Sequence, residues 1–301
     1  MSAHRQERAL PPLPPSRLVT CRGRQWWVLD HPLVDHAVAE LVSGFEDSTL
    51  QFFDAALPHC ARLIDVGGYF GLLSLYAGDR VNQVTIFEPS PTHRSILQAN
   101  LALNPSLAAH STLVPAAMGA HASEQPLYRK AFADSGASLF EVVERQNLRR
   151  GEAEAVVRVL PAASALAEAG LDRATLLKID IEGAEYEVIP AIAALLAQHL
   201  PFLQVSFHPF NLVVPDDDIA TTLLRLRRMI DVVAALRCYP FWYLLGPDGW
   251  REITADNFTA FLRDELLKAK PVARIASPQY GLIDGVAFSP TRLNLPSAPS
   301  R

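Results

Sequence analysis

The chain has 301 residues, of which 50% are apolar and 20% are charged, so it is long enough for one large α/β domain with a substantial core. Its formal net charge is −5 and it contains no long basic run, which argues against nucleic acid as a partner because phosphates bind to basic surfaces. The three cysteines are scattered and lack C-x-x-C spacing, which favours reduced thiols in a cytoplasmic protein over a disulfide framework or a zinc site.

The N-terminal part of the chain divides into an arm and a cap. Residues 1–16 include the run Pro11–Pro15 (PPLPP) and lack the apolar core of a signal peptide, so we expect a disordered arm. Residues 17–60 are predicted to form a cap that packs on the main domain over the ligand cleft, with a hairpin strand at Arg24–Leu29 and a helix at Asp47–Leu57. The alternative is simple packing on the sheet edge. No segment approaches the roughly 18 continuous apolar residues of a membrane span, so a membrane partner is not expected.

The other elements are arranged around residues 61–71 (ARLIDVGGYFG). The apolar run Arg62–Val66 predicts a buried parallel strand. Gly67 and Gly68 then allow a tight turn and a close backbone approach to a ligand, at which the next helix directs free N–H groups. Asp65, in the last part of the strand, can accept hydrogen bonds from a cationic or N–H-bearing ligand. A glycine turn that binds no ligand is the alternative.

A second strand, Gln83–Phe87, ends in Glu88 and Pro89. A carboxylate at this position binds the ribose diol in nucleotide sites. The dinucleotide fingerprint G-x-G-x-x-G would place its middle glycine at Tyr69, whose ring would block a pyrophosphate. An acid ahead of the glycines instead suits a ligand with an amine and a sulfonium, which indicates S-adenosylmethionine rather than NAD.

The middle of the chain continues the alternation of helices and strands. The predicted elements are a helix from Pro91 to about Leu103, a strand Ser111–Met118 interrupted at Pro115, extended pieces Leu127–Lys130 and Ala155–Leu160 around a polar loop, residues 134–151, and a helix Pro161–Ala169. A buried strand within 175–179 then ends at Asp180, with Glu182, Gly183 and Glu185 directly after it. Ligands of open α/β sheets bind beyond the carboxyl ends of strands, so these acids belong to a candidate site. The alternative is that the glutamates merely favour a helix N-terminus.

The last part of the chain places a histidine at the same edge. The strand Leu203–Phe207 leads into His208. Further predicted elements are a helix Asp216–Ala235, a strand Phe241–Leu245, a helix Phe258–Lys270 and a last strand Tyr280–Phe288. No internal repeat and no second core is evident, so residues 61–290 are predicted to be one domain and residues 291–301 a loose tail.

At these residues the sequence resembles the FkbM family of S-adenosylmethionine-dependent methyltransferases. Residues 65–71 (DVGGYFG) are similar to its D-x-G-A-N-x-G block, Glu88-Pro89 to its E-P, and residues 178–185 (KIDIEGAE) to its K-x-D-x-E-G-A-E. The resemblance covers about half of the chain, roughly residues 48–209. Gly68-Tyr69 departs from the family's Ala-Asn, and Ser206 stands where the family often has Glu.

The resemblance implies a class I methyltransferase (Rossmann-like) fold, a three-layer sandwich whose mostly parallel seven-stranded sheet has a reversed last strand. It also implies O-methylation of a hydroxyl on a sugar or secondary metabolite. The small molecule would then be the partner, and the chain could form a homodimer.

The expected cofactor site has three parts. Asp65 and the turn at Gly67, Gly68 and Tyr69 would hold the methionine end of S-adenosylmethionine. Glu88 would hold the ribose, and Ala117 and Met118 would lie near the adenine.

For the proton of the acceptor hydroxyl, the candidate bases are His208 first, then Asp180 and Glu182. These three residues could instead bind a divalent metal ion that acidifies the hydroxyl; the spacing alone does not decide this, and a metal is not the favoured interpretation. Lys178 is predicted to be structural, paired with an acid. A cofactor-binding module without turnover and a nicotinamide oxidoreductase are the alternative functions.

Overall fold

The computed structural model describes residues 14–129, 136–140, 152–208, 219–246, 249–260 and 285–295. The helices are α1 (Pro32–Ser43), α2 (Asp47–Ala56), α3 (Leu72–Ala77), α4 (Pro91–Ala102), α5 (Pro105–Ala108), α6 (Ala162–Glu168), α7 (Glu185–Ala191), α8 (Ala193–His199) and α9 (Ile219–Leu236). The strands are β1 (Ser16–Cys21), β2 (Arg24–Leu29), β3 (Arg62–Val66), β4 (Gln83–Phe87), β5 (Ser111–Val114), β6 (Ala117–Gly119), β7 (Ser123–Arg129), β8 (Glu152–Pro161), β9 (Thr175–Ile179), β10 (Phe202–Val205), β11 (Phe241–Gly246), β12 (Gly249–Ile253) and β13 (Gly285–Ser289).

The main sheet of the described residues has the strand order β12-β11-β13-β10-β9-β3-β4-β5. The five strands from β10 to β5 are parallel, and β13 is antiparallel to both of its neighbours, β10 and β11. The predicted class I methyltransferase sheet with a reversed last strand is therefore confirmed. It carries one strand beyond the predicted seven, because β12 pairs antiparallel with β11 at the edge.

The central strands are buried on both faces. Leu176 and Leu177 point to opposite faces of β9, belong to different core clusters, and are both fully buried. Each such side chain contributes about 1.5–3 kcal/mol through burial. One cluster also contains Trp26 and Phe52, so the N-terminal elements cover one face of the sheet. The apolar runs in the sequence are continuous because neither face of these strands meets water.

A smaller sheet, ordered β6-β8-β7, lies beside the main one. The predicted strand Ser111–Met118 is in fact two strands in different sheets, since the chain leaves β5 after Val114 and enters β6 at Ala117. The two predicted extended pieces form the antiparallel hairpin of β7 and β8. Of the predicted polar loop between them, only residues 136–140 are described.

The ribbon of β1 and β2 is attached to α4 and to the turn that follows it by two asparagine side chains. Asn104 Oδ1 accepts from the Trp27 N–H at 3.0 Å, and its Nδ2 donates to the Trp27 carbonyl at 2.7 Å. Asn100 Oδ1 accepts from the Leu29 N–H at 2.8 Å, and its Nδ2 donates to the carbonyl of Phe70 at 2.8 Å. These amides take the place of a neighbouring strand, and Asn100 connects the ribbon to the glycine turn.

Several predictions fall wholly or partly outside the described residues. These are the arm 1–16, the polar loop 134–151, the start of the helix at 216–218, the continuation of the helix 258–270 beyond residue 260, residues 280–284 of the last strand, and the tail from residue 296. Within the described part of the chain, no helix is long and apolar enough to cross a membrane.

Candidate functional site

The glycines of the turn after β3 are required by neighbouring protein atoms. Gly67 has φ +87°, and a Cβ there would lie 1.8 Å from the carbonyl oxygen of Asp180. A Cβ at Gly68 would lie 2.3 Å from Ile86 Cγ2. The turn therefore packs directly on the end of β9, which brings the first predicted motif against the last one.

Tyr69 has a left-handed backbone, with φ +49°. Asparagine adopts this conformation more readily than tyrosine, which agrees with the Asn that the family pattern has here. The Tyr69 ring stacks on Phe70 with centroids 3.7 Å apart and meets the edge of His93 at 4.8 Å. This ring contact and the bond from its N–H to Glu88 Oε2, at 2.7 Å, hold Tyr69 in the unfavourable conformation.

Glu88 ends β4 and is buried. Its Oε2 accepts from the Tyr69 N–H, and its Oε1 accepts from the Ser90 N–H at 2.8 Å. His93 Nδ1 lies 3.3 Å from the same Oε1. The predicted ribose acid is thus held by two backbone donors and a histidine, and this histidine had no signal in the sequence.

Asp65 is 1% exposed and lies beneath the turn. Lys178 Nζ lies 3.1 Å from Asp65 Oδ1 and donates to the Gly67 carbonyl at 2.5 Å, while Ser74 Oγ donates to Asp65 Oδ2 at 2.6 Å. Burial alone would lower the pKa of Lys178, but the charges of Asp65 and Asp180 raise it above its usual value. The prediction that Lys178 is structural and paired with an acid is confirmed.

A histidine and three carboxylates meet beyond β9 and β10, and we call Asp180, Glu182, Glu185 and His208 the histidine cluster. His208 Nε2 lies 3.7 Å from Asp180 and 3.4 Å from Glu182, and Nδ1 lies 3.1 Å from Glu185 Oε1. The structure thus brings together the candidate bases that the sequence indicated. Glu185, which the sequence analysis also placed among the acids of the candidate site, belongs to the same group.

The members of the histidine cluster differ in their exposure. Glu185 is fully buried, and its two oxygens accept from the Ile181 and Gly183 N–H groups at 3.0 and 2.9 Å. The Asp180 side chain is 29% exposed. Burial would lower the pKa of His208, but Glu182, Glu185 and Asp180 together raise it to about 10. His208 is therefore an imidazolium at neutral pH, which argues against the free base that the sequence analysis ranked first.

One atom from each of Asp180, Glu185 and His208 lies within 4.8 Å of the others, a spacing that a metal ion could bridge. A histidine must lose its second proton before it binds a metal ion, so a cation here would compete with the proton that the three carboxylates favour on His208. Each oxygen of Glu185 accepts one backbone hydrogen bond, which leaves further acceptor positions on that carboxylate.

The small sheet contacts both parts of the candidate site. Ser138 Oγ donates at 2.6 Å to the carbonyl of Glu182, a residue with φ +53°. On the other side, Glu154 of β8 accepts from Ser90 Oγ at 2.9 Å and from the Thr92 N–H at 3.2 Å. The sequence analysis missed both residues, since neither lies in a recognisable motif.

The remaining predicted residues lie close to the small sheet and the end of β10. Ala117 and Met118 are buried in β6, and Met118 shares a core cluster with Val66 and Phe87. Ser206 Oγ accepts from Gln204 Nε2 at 3.2 Å.

The family model described as "Methyltransferase FkbM domain" matches residues 65–228, which is more than half of the chain. The chain belongs to the FkbM methyltransferase family. The matched residues of the FkbM domain begin at Asp65 and include Glu88 and the whole histidine cluster.

This FkbM chain is similar to one curated protein and two solved structures that we describe here. Methyltransferase sdnD of Sordaria araneosa is 31% identical over 197 residues, covering 52% of this chain and 71% of the relative. The crystal structure of Methyltransferase FkbM from Methylobacillus flagellatus KT is 19% identical with a TM-score of 0.40; the match covers 64% of this chain and 42% of that one. The plantazolicin methyltransferase BamL, solved with a triazolic desmethylPZN analog and SAH, is 9% identical with a TM-score of 0.39, covering 86% of this chain and 90% of BamL.

Proposed function

We propose that the chain transfers a methyl group from S-adenosylmethionine to a hydroxyl oxygen of a small molecule, a sugar or a secondary metabolite. The observation that carries the proposal is the contact between the glycine turn and the end of β9, where the Gly67 position lies against the Asp180 carbonyl. This contact sets a cofactor turn directly beside the histidine cluster. Membership of a methyltransferase family supports the reaction class.

On the donor side, Glu88 would accept from the ribose and the turn at Gly67–Tyr69 would meet the methionine end. Asp65 would act indirectly, because it is occupied by Lys178 and Ser74. Lys178 in turn fixes the Gly67 carbonyl, so this buried pair determines the shape of the turn. Ala117 and Met118 would lie on the adenine side.

Methyl transfer is an in-line displacement. The acceptor oxygen forms a bond to the methyl carbon, the S–C bond breaks, and its electron pair stays on sulfur, which leaves S-adenosylhomocysteine. The enzyme holds the two reacting atoms in line about 3 Å apart. The hydroxyl proton must pass to a base during the attack.

We infer that Asp180 or Glu182 receives this proton. His208 already carries a proton at neutral pH, so it can stabilise the charge of the neighbouring carboxylates but cannot serve as the acceptor. Asp180 is the more exposed of the two carboxylates and is accordingly the first choice. This assignment replaces the order of candidates drawn from the sequence.

Calorimetry tests the donor side of the proposal. Glu88→Ala and Asp65→Ala should each weaken binding of S-adenosylhomocysteine, because one removes the ribose acceptor and the other the support of the turn. Unchanged affinity in both variants would remove the proposed cofactor site. His208→Ala should slow turnover while sparing cofactor affinity, and activity should survive exhaustive chelation.

A cofactor-binding module without turnover is the second candidate, and the absence of an acid at Ser206 favours it. A screen of hydroxylated acceptors separates the two, since only an enzyme yields a methylated product. Thermal shifts with S-adenosylmethionine, S-adenosylhomocysteine and NADH would exclude or support the nicotinamide alternative. We also propose that residues 17–60 form a cap on the domain of residues 61–290 and that the protein is cytoplasmic. We further propose a homodimer, and light scattering can test this oligomeric state.

A further inference from the structure

We propose that His93 is a positioning residue of the cofactor site, which occupies one oxygen of Glu88 and leaves the other for a ribose hydroxyl. This inference rests on the proposed function. It concerns a buried residue that lies outside the sequence motifs.

The position of His93 is fixed by its surroundings. It lies in the first turn of α4, is 3% exposed, and its N–H donates to Ser90 Oγ at 3.2 Å. The ring meets Tyr69 and Phe70 edge-on, at 4.8 and 5.6 Å between centroids. Because two aromatic rings enclose it, the imidazole has little freedom to leave Glu88.

The acceptor positions on the Glu88 carboxylate indicate the role of His93. A carboxylate has about four lone-pair positions, two on each oxygen. Oε1 of Glu88 faces both the Ser90 N–H at 2.8 Å and His93 Nδ1 at 3.3 Å. Oε2 receives only the Tyr69 N–H among the described residues. One acceptor position is thus left on Oε2, beside the turn that the cofactor would contact.

A second carboxylate supports the same arrangement. Glu154 binds Ser90 Oγ and the Thr92 N–H, on two of the three residues that precede His93. Its charge also interacts with His93. The imidazole therefore lies between the acids of β4 and β8, and a ring nitrogen that donates to Glu88 is favoured there.

The test is a double-mutant cycle measured by calorimetry with S-adenosylhomocysteine. His93→Leu should weaken binding about 10- to 100-fold, because it removes the imidazole 3.3 Å from a buried carboxylate and leaves that polar group less well paired. In a Glu88→Gln background the same change should add less than about threefold, because His93 acts through Glu88. Equal losses in both backgrounds would overturn the inference.

Two further variants keep the result interpretable. His93→Asn retains a donor near the position of Nδ1 and should therefore keep most of the affinity for S-adenosylhomocysteine. If His93→Asn lost as much affinity as His93→Leu, the inference would be overturned, and this holds even if His93→Leu folds poorly. His110→Leu is the matched control, since His110 Nε2 binds the Gly78 carbonyl at 2.9 Å, and it should leave affinity unchanged. If the wild-type chain binds no S-adenosylhomocysteine, the proposed function fails; if it binds but His93→Leu binds equally well, only the role of His93 fails.

Discussion

The donor-side acids and the histidine cluster balance their charges in different ways. Asp65 and Glu88 are buried and bound to fixed donors, namely a lysine, a serine hydroxyl and backbone N–H groups. Asp180 and Glu182 share one imidazolium and keep part of their surface exposed. Under the proposed function, the first two acids would form a site that is in place before the cofactor binds, whereas the histidine cluster would keep a carboxylate available for chemistry.

Removal of the buried cation should have the largest effect. Lys178→Met leaves Asp65 buried without its charge partner, which should lower the free energy of unfolding by about 3–5 kcal/mol in urea titrations. The control is Arg237→Met, whose pair with Asp256 is exposed and should contribute less than about 1 kcal/mol. Equal effects of the two substitutions would show that the Asp65–Lys178 pair is not a buried support.

Removing the side chain by which α4 supports the glycine turn should have the next largest effect on the free energy of unfolding. Asn100→Leu leaves the Leu29 N–H and the Phe70 carbonyl without partners in a buried place, at a cost of about 1–3 kcal/mol in unfolding free energy. Asn104→Leu, between α4 and α5, should cost less because Trp27 can turn its backbone groups to water. A larger loss for Asn104→Leu would contradict this ranking.

The pH dependence of stability tests the charge of His208. Its pKa is raised to about 10 in the folded chain, against about 6.5 when unfolded. Protonated His208 therefore makes its full contribution to the free energy of unfolding below about pH 6.5. As the pH rises, this contribution declines by at most about 1.4 kcal/mol per pH unit, and it is lost as the pH passes 10. Unfolding titrations from pH 6 to 10 on the wild type and His208→Gln should converge at high pH; parallel curves would show that His208 is not protonated.

The smallest effect on folding should come from the most exposed acid. Asp180→Asn removes contacts of 3.7 and 3.8 Å at a partly solvated side chain, so the unfolding free energy should change by less than about 1 kcal/mol. Turnover should nevertheless fall by about 10²–10⁴, the usual contribution of a general base. Full turnover in this variant would assign the proton to Glu182 instead.

The sequence was most informative where burial is continuous. The boundaries of β2, β3 and β4 were predicted to the residue, since apolar runs ended by charged or turn residues define such strands. Helix α1 was missed, although Val34, Val38 and Leu41 have helical spacing and the His31 side chain caps the first turn. The extra strand β12 was missed because residues 249–253 (GWREI) lie at an edge and lack an apolar run.

For the candidate site, the motifs located the acids and two of their partners, Lys178 and His208, but not the others. The positions of Asp180 and His208 at one edge follow from the rule for parallel strands. The roles of His93, Ser138 and Asn100 depend on contacts between residues that are 23 to 71 positions apart in the sequence, which no local pattern encodes. The protonation of His208 similarly required three carboxylates to meet in space.

The hairpin of β7 and β8 contacts the N-terminus of α4 through Glu154 and the Glu182 carbonyl through Ser138. Binding of the proposed cofactor and binding of the acceptor should consequently be thermodynamically linked. A ligand that orders this hairpin at one site should raise the affinity of the other site for its own ligand. Simultaneous replacement of Glu154 by Gln and Ser138 by Ala should abolish that cooperativity, which can be measured as the change in acceptor affinity between free and S-adenosylhomocysteine-saturated protein.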